Sequence, residues 1–225
     1  MLLKADLKKM SQVFTSYHCA TQHIEDSGQE DQIRLGSDNK IRRWARGSVI
    51  KYIICAETFK DSNMATYVGG KAVEAGNMWD NKAVKFKLVH RHDEATFRIV
   101  YSDTPPASGV LAKSFFPNNS GAEKRTLFVY ADALANDKRE SLAGVLAHEL
   151  GHIQGLRHEF ETKRDGSTRW GKKNSRSVMN YLYDIRKLRV RRQDITEITS
   201  FYRLNARRYM GFRVKILVPP TTRYD

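Results

Sequence analysis

The segment HELGHIQGLRH, residues 148–158, constrains the fold more than any other part of the chain. His148 and His152 are four residues apart, so a helix carries both imidazoles on one face, about one turn apart. Gly155 can adopt the left-handed conformation that ends a helix. His158 follows three residues later and can turn back toward the other two histidines. The segment therefore predicts a helix that stops at Gly155 and three imidazoles that converge on one point.

Three converging histidines are the ligands of a catalytic zinc site, because three protein ligands leave the fourth position of the metal for water. Glu149 lies beside His148 and can reach that water. Zinc lowers the pKa of bound water to about 7, and a carboxylate can take its proton as it attacks a carbonyl. We therefore predict one Zn²⁺ per chain on His148, His152 and His158, and hydrolysis of peptide bonds by zinc-bound water that Glu149 activates. The alternative, scattered structural histidines, requires five fixed positions to coincide by chance.

Periodicity around this segment predicts an α/β fold, with a twisted mixed sheet and two long helices. The second helix carries the zinc ligands. Ser141 and Gly144 lie along the histidine stripe, where small side chains leave room for a metal and a substrate. The predicted helices are 62–81 and one that begins near Asn136 and Asp137; the predicted strands are 47–54, 84–89, 96–101, 110–116 and 126–130.

A second motif, SVMNY at residues 177–181, follows the histidine segment. With this motif the chain resembles the metzincin metalloendopeptidases, which combine the long histidine motif with a methionine turn. Within that clan it looks most like the astacins, because Glu159 follows the third histidine and the turn has the form Ser-x-Met-x-Tyr. The resemblance implies that Met179 forms an apolar floor under the zinc and that Tyr181 is a displaceable ligand that stabilises the oxyanion. It also implies that Glu159 contacts the N-terminus of a mature enzyme.

The resemblance implies an edge strand at Leu111 and Ala112, whose free backbone groups pair with an extended substrate. The resemblance covers a catalytic domain at 43–208, and it implies a small irregular C-terminal subdomain that holds the methionine turn. Residues 1–42 are polar and weakly periodic, which predicts an N-terminal extension or leader, and 209–225 are a predicted C-terminal tail. The resemblance also implies an extracellular protein, although the first residues contain no readable signal peptide.

The charge is concentrated near the C-terminus: residues 163–225 hold 17 basic and 5 acidic side chains, out of a net charge of +14. A solvated face or a rim that favours acidic substrates is the preferred interpretation. Nucleic acid binding is not favoured, because no aromatic platform accompanies the basic run at 186–192. The runner-up function is a basic, zinc-stabilised binding protein for a polyanion, without peptidase activity. No apolar run is long enough to span a membrane.

The two cysteines, Cys19 and Cys55, leave three alternatives open. They pair in an oxidising compartment, both stay reduced, or the Cys19 thiolate blocks the metal in a latent form; the third ranks last, because nothing near Cys19 marks it. His90 and His92 are predicted on one face of a strand, where a second metal is a weaker alternative.

Overall fold

The computed structural model describes residues 18–21, 32–80, 83–118, 120–158, 167–180 and 184–224. Its three helices are α1 (Ser62–Met78), α2 (Leu142–Ile153) and α3 (Arg192–Arg203). Its strands, in chain order, are β1 (His18–Cys19), β2 (Gln32–Leu35), β3 (Lys40–Trp44), β4 (Ser48–Ile54), β5 (Val84–Leu88), β6 (Phe97–Ser102), β7 (Val110–Lys113), β8 (Thr126–Tyr130), β9 (Leu156–Arg157), β10 (Thr168–Lys173), β11 (Arg208–Tyr209) and β12 (Phe212–Leu217).

The main sheet has the strand order β1-β7-β8-β6-β4-β5. All neighbours in it are parallel except β7 and β8, which are antiparallel. Inward-facing side chains of β4, β6 and β8 pack with both α1 and α2 in one apolar core. The mixed α/β sheet with helices packed against it confirms the predicted fold class.

Two smaller sheets join distant parts of the chain: β10-β2-β9 and β11-β12-β3. Strand β3, which spans the predicted boundary at residue 42, pairs in parallel with β12 of the predicted tail. The predicted boundaries at residues 42 and 208 stay a prediction. Among the described residues, no helix is both long and apolar enough to cross a membrane.

Several predicted boundaries were wrong. Helix α1 ends at Met78 rather than at residue 81, and β7 ends at Lys113 rather than at 116. Helix α2 begins at Leu142, because a short 3-10 turn at Arg139–Ser141 precedes it, and not near residue 136. His90 and His92 lie in the turn after β5, where the His90 amide bonds to Asp93, so they do not share a strand face.

Candidate metal centre

Helix α2 lies in the centre of the molecule, and each of its residues is buried. The carbonyl groups at the end of a helix lack partners within that helix. Here Trp44 Nε1 donates to the carbonyl of Ile153 at 2.7 Å, and the Tyr202 hydroxyl donates to that of Gln154 at 2.9 Å. These bonds let the helix end inside the protein.

The chain leaves α2 through Gly155, whose φ of +102° lies in the left-handed region. A Cβ at this position would lie 2.6 Å from the carbonyl oxygen of Arg42, so a side chain is excluded by space as well as by φ. The turn at Gly155 brings His158 back to the helix. The Nε2 atom of His158 lies 3.1 Å from that of His148 and 3.2 Å from that of His152. The structure thus brings the three predicted histidines together.

The ring orientations of His148 and His152 are fixed by backbone carbonyl groups. His148 Nδ1 donates to the Val178 carbonyl at 2.7 Å, and His152 Nδ1 donates to the Leu156 carbonyl at 2.8 Å. A carbonyl can only accept, so each Nδ1 carries the proton and each Nε2 presents a lone pair. Burial lowers the pKa of all three histidines, which keeps the imidazoles neutral.

This donor set fits zinc. The two Nε2 lone pairs of His148 and His152 face each other at 3.2 Å with no proton between them, an arrangement that is repulsive unless a cation lies there. Tetrahedral zinc with Zn–N bonds of roughly 2.0–2.1 Å sets its nitrogens about 3.3 Å apart, close to the spacing of this cluster. Cys19 completes a group of four possible ligands whose atoms all lie within 4.8 Å of one another.

The methionine turn supports the cluster from below. Met179 is fully buried, and its sulfur packs against the position of Gly151 in α2. The turn is tied to α3 by Asp194, whose carboxylate accepts from Asn174 Nδ2 at 3.1 Å and from the Val178 amide at 3.4 Å. Burial raises the pKa of Asp194, whereas hydrogen bonds from its neighbours oppose that rise. Because the Val178 carbonyl orients His148, α3 controls the orientation of this imidazole through the turn.

Cys19 lies beside the histidine cluster, as the last-ranked of the three alternatives for the cysteines requires. Its Sγ lies 3.5 Å from His152 Nε2, although the two residues are 133 positions apart in the chain. Strand β1 brings it there by pairing with β7 in parallel, with Cys19 opposite Ala112. Burial and the charge of Glu149 raise the pKa of the thiol well above its ordinary value, whereas a bound metal ion deprotonates a coordinating thiol.

The same segment reaches Glu149. The Thr21 hydroxyl donates to Glu149 Oε2 at 2.7 Å and accepts from the Ser114 amide at 2.8 Å. Ser114 Oγ donates to the Glu149 carbonyl at 3.1 Å. The ring of Phe116 contacts His152 edge-on, with 5.3 Å between the ring centroids. No spacing in the sequence linked Thr21, Ser114 or Phe116 to the histidines. They come together only because β1 pairs with β7 and β7 packs against α2.

The remaining predicted site residues have different outcomes. Leu111 and Ala112 lie in β7, next to the cluster, as the predicted edge strand requires, but β1 occupies that edge. Gly144 does not make room for a metal or a substrate: a Cβ there would meet the backbone and side chain of Leu188, so the small residue lets the loop after the methionine turn approach α2. Glu159 and Tyr181 lie outside the described residues.

Comparison with known families resolves the class of protein. The family described as Matrixin matches residues 43–203, which is well over half of the chain. The chain belongs to the matrixin family. It is therefore a metallopeptidase, and its family uses zinc. The resemblance to metzincins is confirmed, whereas a likeness to astacins in particular stays a prediction.

The fold of this matrixin is similar to a solved structure titled "Structure of myroilysin". The TM-score is 0.52 and the sequence identity 16%, over 77% of this chain and 100% of that chain. At this identity the likeness shows the fold alone. No curated protein sequence matches the chain significantly.

Proposed function

We propose that this matrixin is a zinc-dependent endopeptidase that binds one zinc per chain through His148, His152 and His158. The observation that carries the proposal is the set of three Nε2 atoms within 3.2 Å of one another, next to the carboxylate of Glu149. When bound, zinc would polarise the scissile carbonyl as a Lewis acid and lower the pKa of a coordinated water.

The protein groups around the metal would carry out the rest of the reaction. Glu149 would accept the proton of the attacking water and deliver it to the leaving amine, because it directly follows the ligand His148 and its carboxylate can reach that water. The backbone of Leu111 and Ala112 would pair with an extended substrate once β1 has left the edge of β7. Met179 would form the apolar floor under the metal. By the resemblance to astacins, we also propose that Tyr181 stabilises the oxyanion and that Glu159 contacts the N-terminus of the mature enzyme.

We further propose that the form described here is latent. Cys19 Sγ would occupy the fourth metal position, since it is the remaining member of the ligand cluster. Strand β1 would block the substrate edge, because a second strand cannot pair with the same side of β7. The predicted leader, residues 1–42, would thus be the inhibitory segment. An extracellular location is part of the proposal and can be checked by separating cells of the source from their medium.

We also propose that acidic polypeptides are favoured substrates. Lys40, Arg42 and Arg157 surround a small surface depression together with Phe116, whose ring contacts the metal ligand His152. In the adjoining sheet, register sets Arg213 of β12 opposite Lys40 of β3, and like charges placed opposite each other are unfavourable without an anionic partner. An acidic segment of substrate would neutralise these cations beside the cleft.

The proposal is tested with two variants and one reference protein. In the Cys19→Ala background, where the proposed blocking thiol is absent, Glu149→Ala is expected to bind zinc normally, because the metal ligands stay intact, and to lose nearly all peptidase activity. His158→Ala is expected to bind zinc much more weakly. The exposed Lys85→Ala variant in β5, made in the same background, is the matched control and should behave as Cys19→Ala in both assays. Full peptidase activity of Glu149→Ala would refute the role of the carboxylate, and unchanged zinc affinity of His158→Ala would refute the three-histidine site.

A further inference from the structure

The Thr21 hydroxyl is held in a defined orientation. A hydroxyl has one proton to donate and two lone pairs with which to accept. The proton of Thr21 points to Glu149 Oε2, and one lone pair accepts from the Ser114 amide. Among the described residues, Thr21 Oγ1 is the hydrogen-bond acceptor of that amide. The side chain is thus fixed between β7 and the carboxylate of α2.

Cys19 and Thr21 contact two neighbouring groups of α2. The chain bends at residues 20 and 21, directly after β1, so both side chains face the helix. On a helix, residues three apart are neighbours on one face, with roughly 5–6 Å between their Cβ atoms. Cys19 therefore reaches His152 while Thr21 reaches Glu149, three residues earlier on α2. The amide of Thr21 also donates to Cys19 Sγ at 3.3 Å, which links the two contacts.

We propose that Thr21 is a second latch residue, separate from Cys19, that holds the general base out of use. The hydroxyl bonds to one of the two carboxylate oxygens of Glu149, and this bond would hold the carboxylate in place even when the metal position is open. This inference rests on the proposed function of Glu149 and on the proposed latency. Release of Cys19 alone would then give partial activation, and full activation would require Thr21 to leave as well.

The test uses the zinc-loaded full-length chain and two readouts that do not depend on activity. The first is the rate at which iodoacetamide alkylates Cys19, measured by mass spectrometry on the peptide so that Cys55 does not interfere. The second is hydrogen exchange of the Ser114 amide, followed by NMR. The variants are Thr21→Val, which replaces the hydroxyl by a methyl group, and Thr21→Ser, which keeps the hydroxyl and loses the methyl group. Thr66→Val, on the exposed face of α1, removes a hydroxyl from a similar bond far from the cleft and is the matched control.

A charge-assisted hydrogen bond contributes enough that its loss should raise both rates about tenfold in Thr21→Val. Thr21→Ser and Thr66→Val should stay near the wild-type rates. Wild-type rates of alkylation and exchange in a folded Thr21→Val chain would overturn the inference. If Thr21→Val melts at a lower temperature than wild type, Thr21→Ala is measured in the same way, and wild-type rates there would also overturn it.

Measurements of peptidase activity distinguish a failure of this inference from a failure of the proposed endopeptidase function. Cys19→Ala is expected to be partly active, and Cys19→Ala combined with Thr21→Val several-fold more active, while adding Thr66→Val to Cys19→Ala changes nothing. Equal activity of the single and double variants would refute the second latch and leave the endopeptidase intact. If no variant cleaves any protein, the proposed function fails, while the Ser114 exchange rate still decides whether Thr21 holds the segment.

Discussion

Substitution of Gly151 by alanine tests how closely the active-site helix and the methionine turn fit together. Alanine in place of glycine inside a helix ordinarily stabilises it by about 1 kcal/mol. At Gly151, however, the new Cβ would lie less than 3.0 Å from the sulfur of Met179 and 3.1 Å from the ring of Trp79. Met179 is fully buried, so its side chain cannot move out into solvent.

Overpacking of this kind costs about 1–3 kcal/mol, which offsets or exceeds the gain in helix propensity. We expect Gly151→Ala to lower the free energy of unfolding by up to about 2 kcal/mol and the melting temperature by up to roughly 4–8 °C. Displacement of Met179 would also shift the neighbouring Val178 carbonyl, which orients His148. Loss of such a supporting contact weakens metal binding by about 10–100-fold.

The assay is urea unfolding of the metal-free chain, together with competition against a zinc chelator. Gly70→Ala is the matched control, because Gly70 lies in α1 and a Cβ there meets nothing within 4 Å. The control should raise the free energy of unfolding by about 0.5–1 kcal/mol. Equal stabilisation of the chain by both substitutions would refute the close fit of Met179 against α2.

Three further predictions concern the supports of the site and its substrates. Tyr202→Phe removes the hydroxyl that caps the end of α2 and should lower the free energy of unfolding by about 1–3 kcal/mol, measured by urea unfolding; an unchanged value would show that the cap is dispensable. The raised pKa of Asp194 means that the folded chain holds this proton to higher pH than the unfolded chain, so its stability falls as pH rises from about 3.9 through the raised value. Asp194→Asn lacks this pH-dependent contribution to the free energy of unfolding. Urea unfolding between pH 4 and 7 should therefore show that the stability of wild type relative to Asp194→Asn grows as pH falls. Free energies of unfolding that depend on pH in the same way in both proteins would contradict the raised pKa of Asp194. Lys40→Gln combined with Arg42→Gln should raise KM for acidic peptides severalfold and leave KM for neutral peptides unchanged, with Lys85→Gln as control, and an equal change for both peptides would remove the acidic preference.

The ligand set could be predicted from sequence because each part of it is local. Residues 148–158 determine by their spacing which imidazoles share a helix face and where the helix ends. The mixed sheet followed similarly from local periodicity in strands such as β4 and β8. The start of α2 could not be placed, because the polar residues at 136–141 resemble helix caps but form a turn that leads into a 3-10 turn at Arg139–Ser141.

The contacts made by the N-terminal segment could not be predicted. Cys19 reaches His152 only through the register of β1 against β7, and no periodicity in the polar leader indicates that pairing. The role of Gly144 was misassigned for the same reason, since its neighbour Leu188 lies in a loop that packs back from a distant part of the chain. Contacts between segments distant in sequence depend on tertiary packing, which local pattern does not encode.

The central claim is tested most directly by the zinc content of the purified full-length chain, measured together with cleavage of a denatured protein. The account predicts about one zinc per chain, little cleavage by wild type, and cleavage by Cys19→Ala that a chelator abolishes. A folded chain that binds no zinc when the metal is supplied would contradict the account. So would cleavage by Cys19→Ala that persists after the chelator has removed the metal.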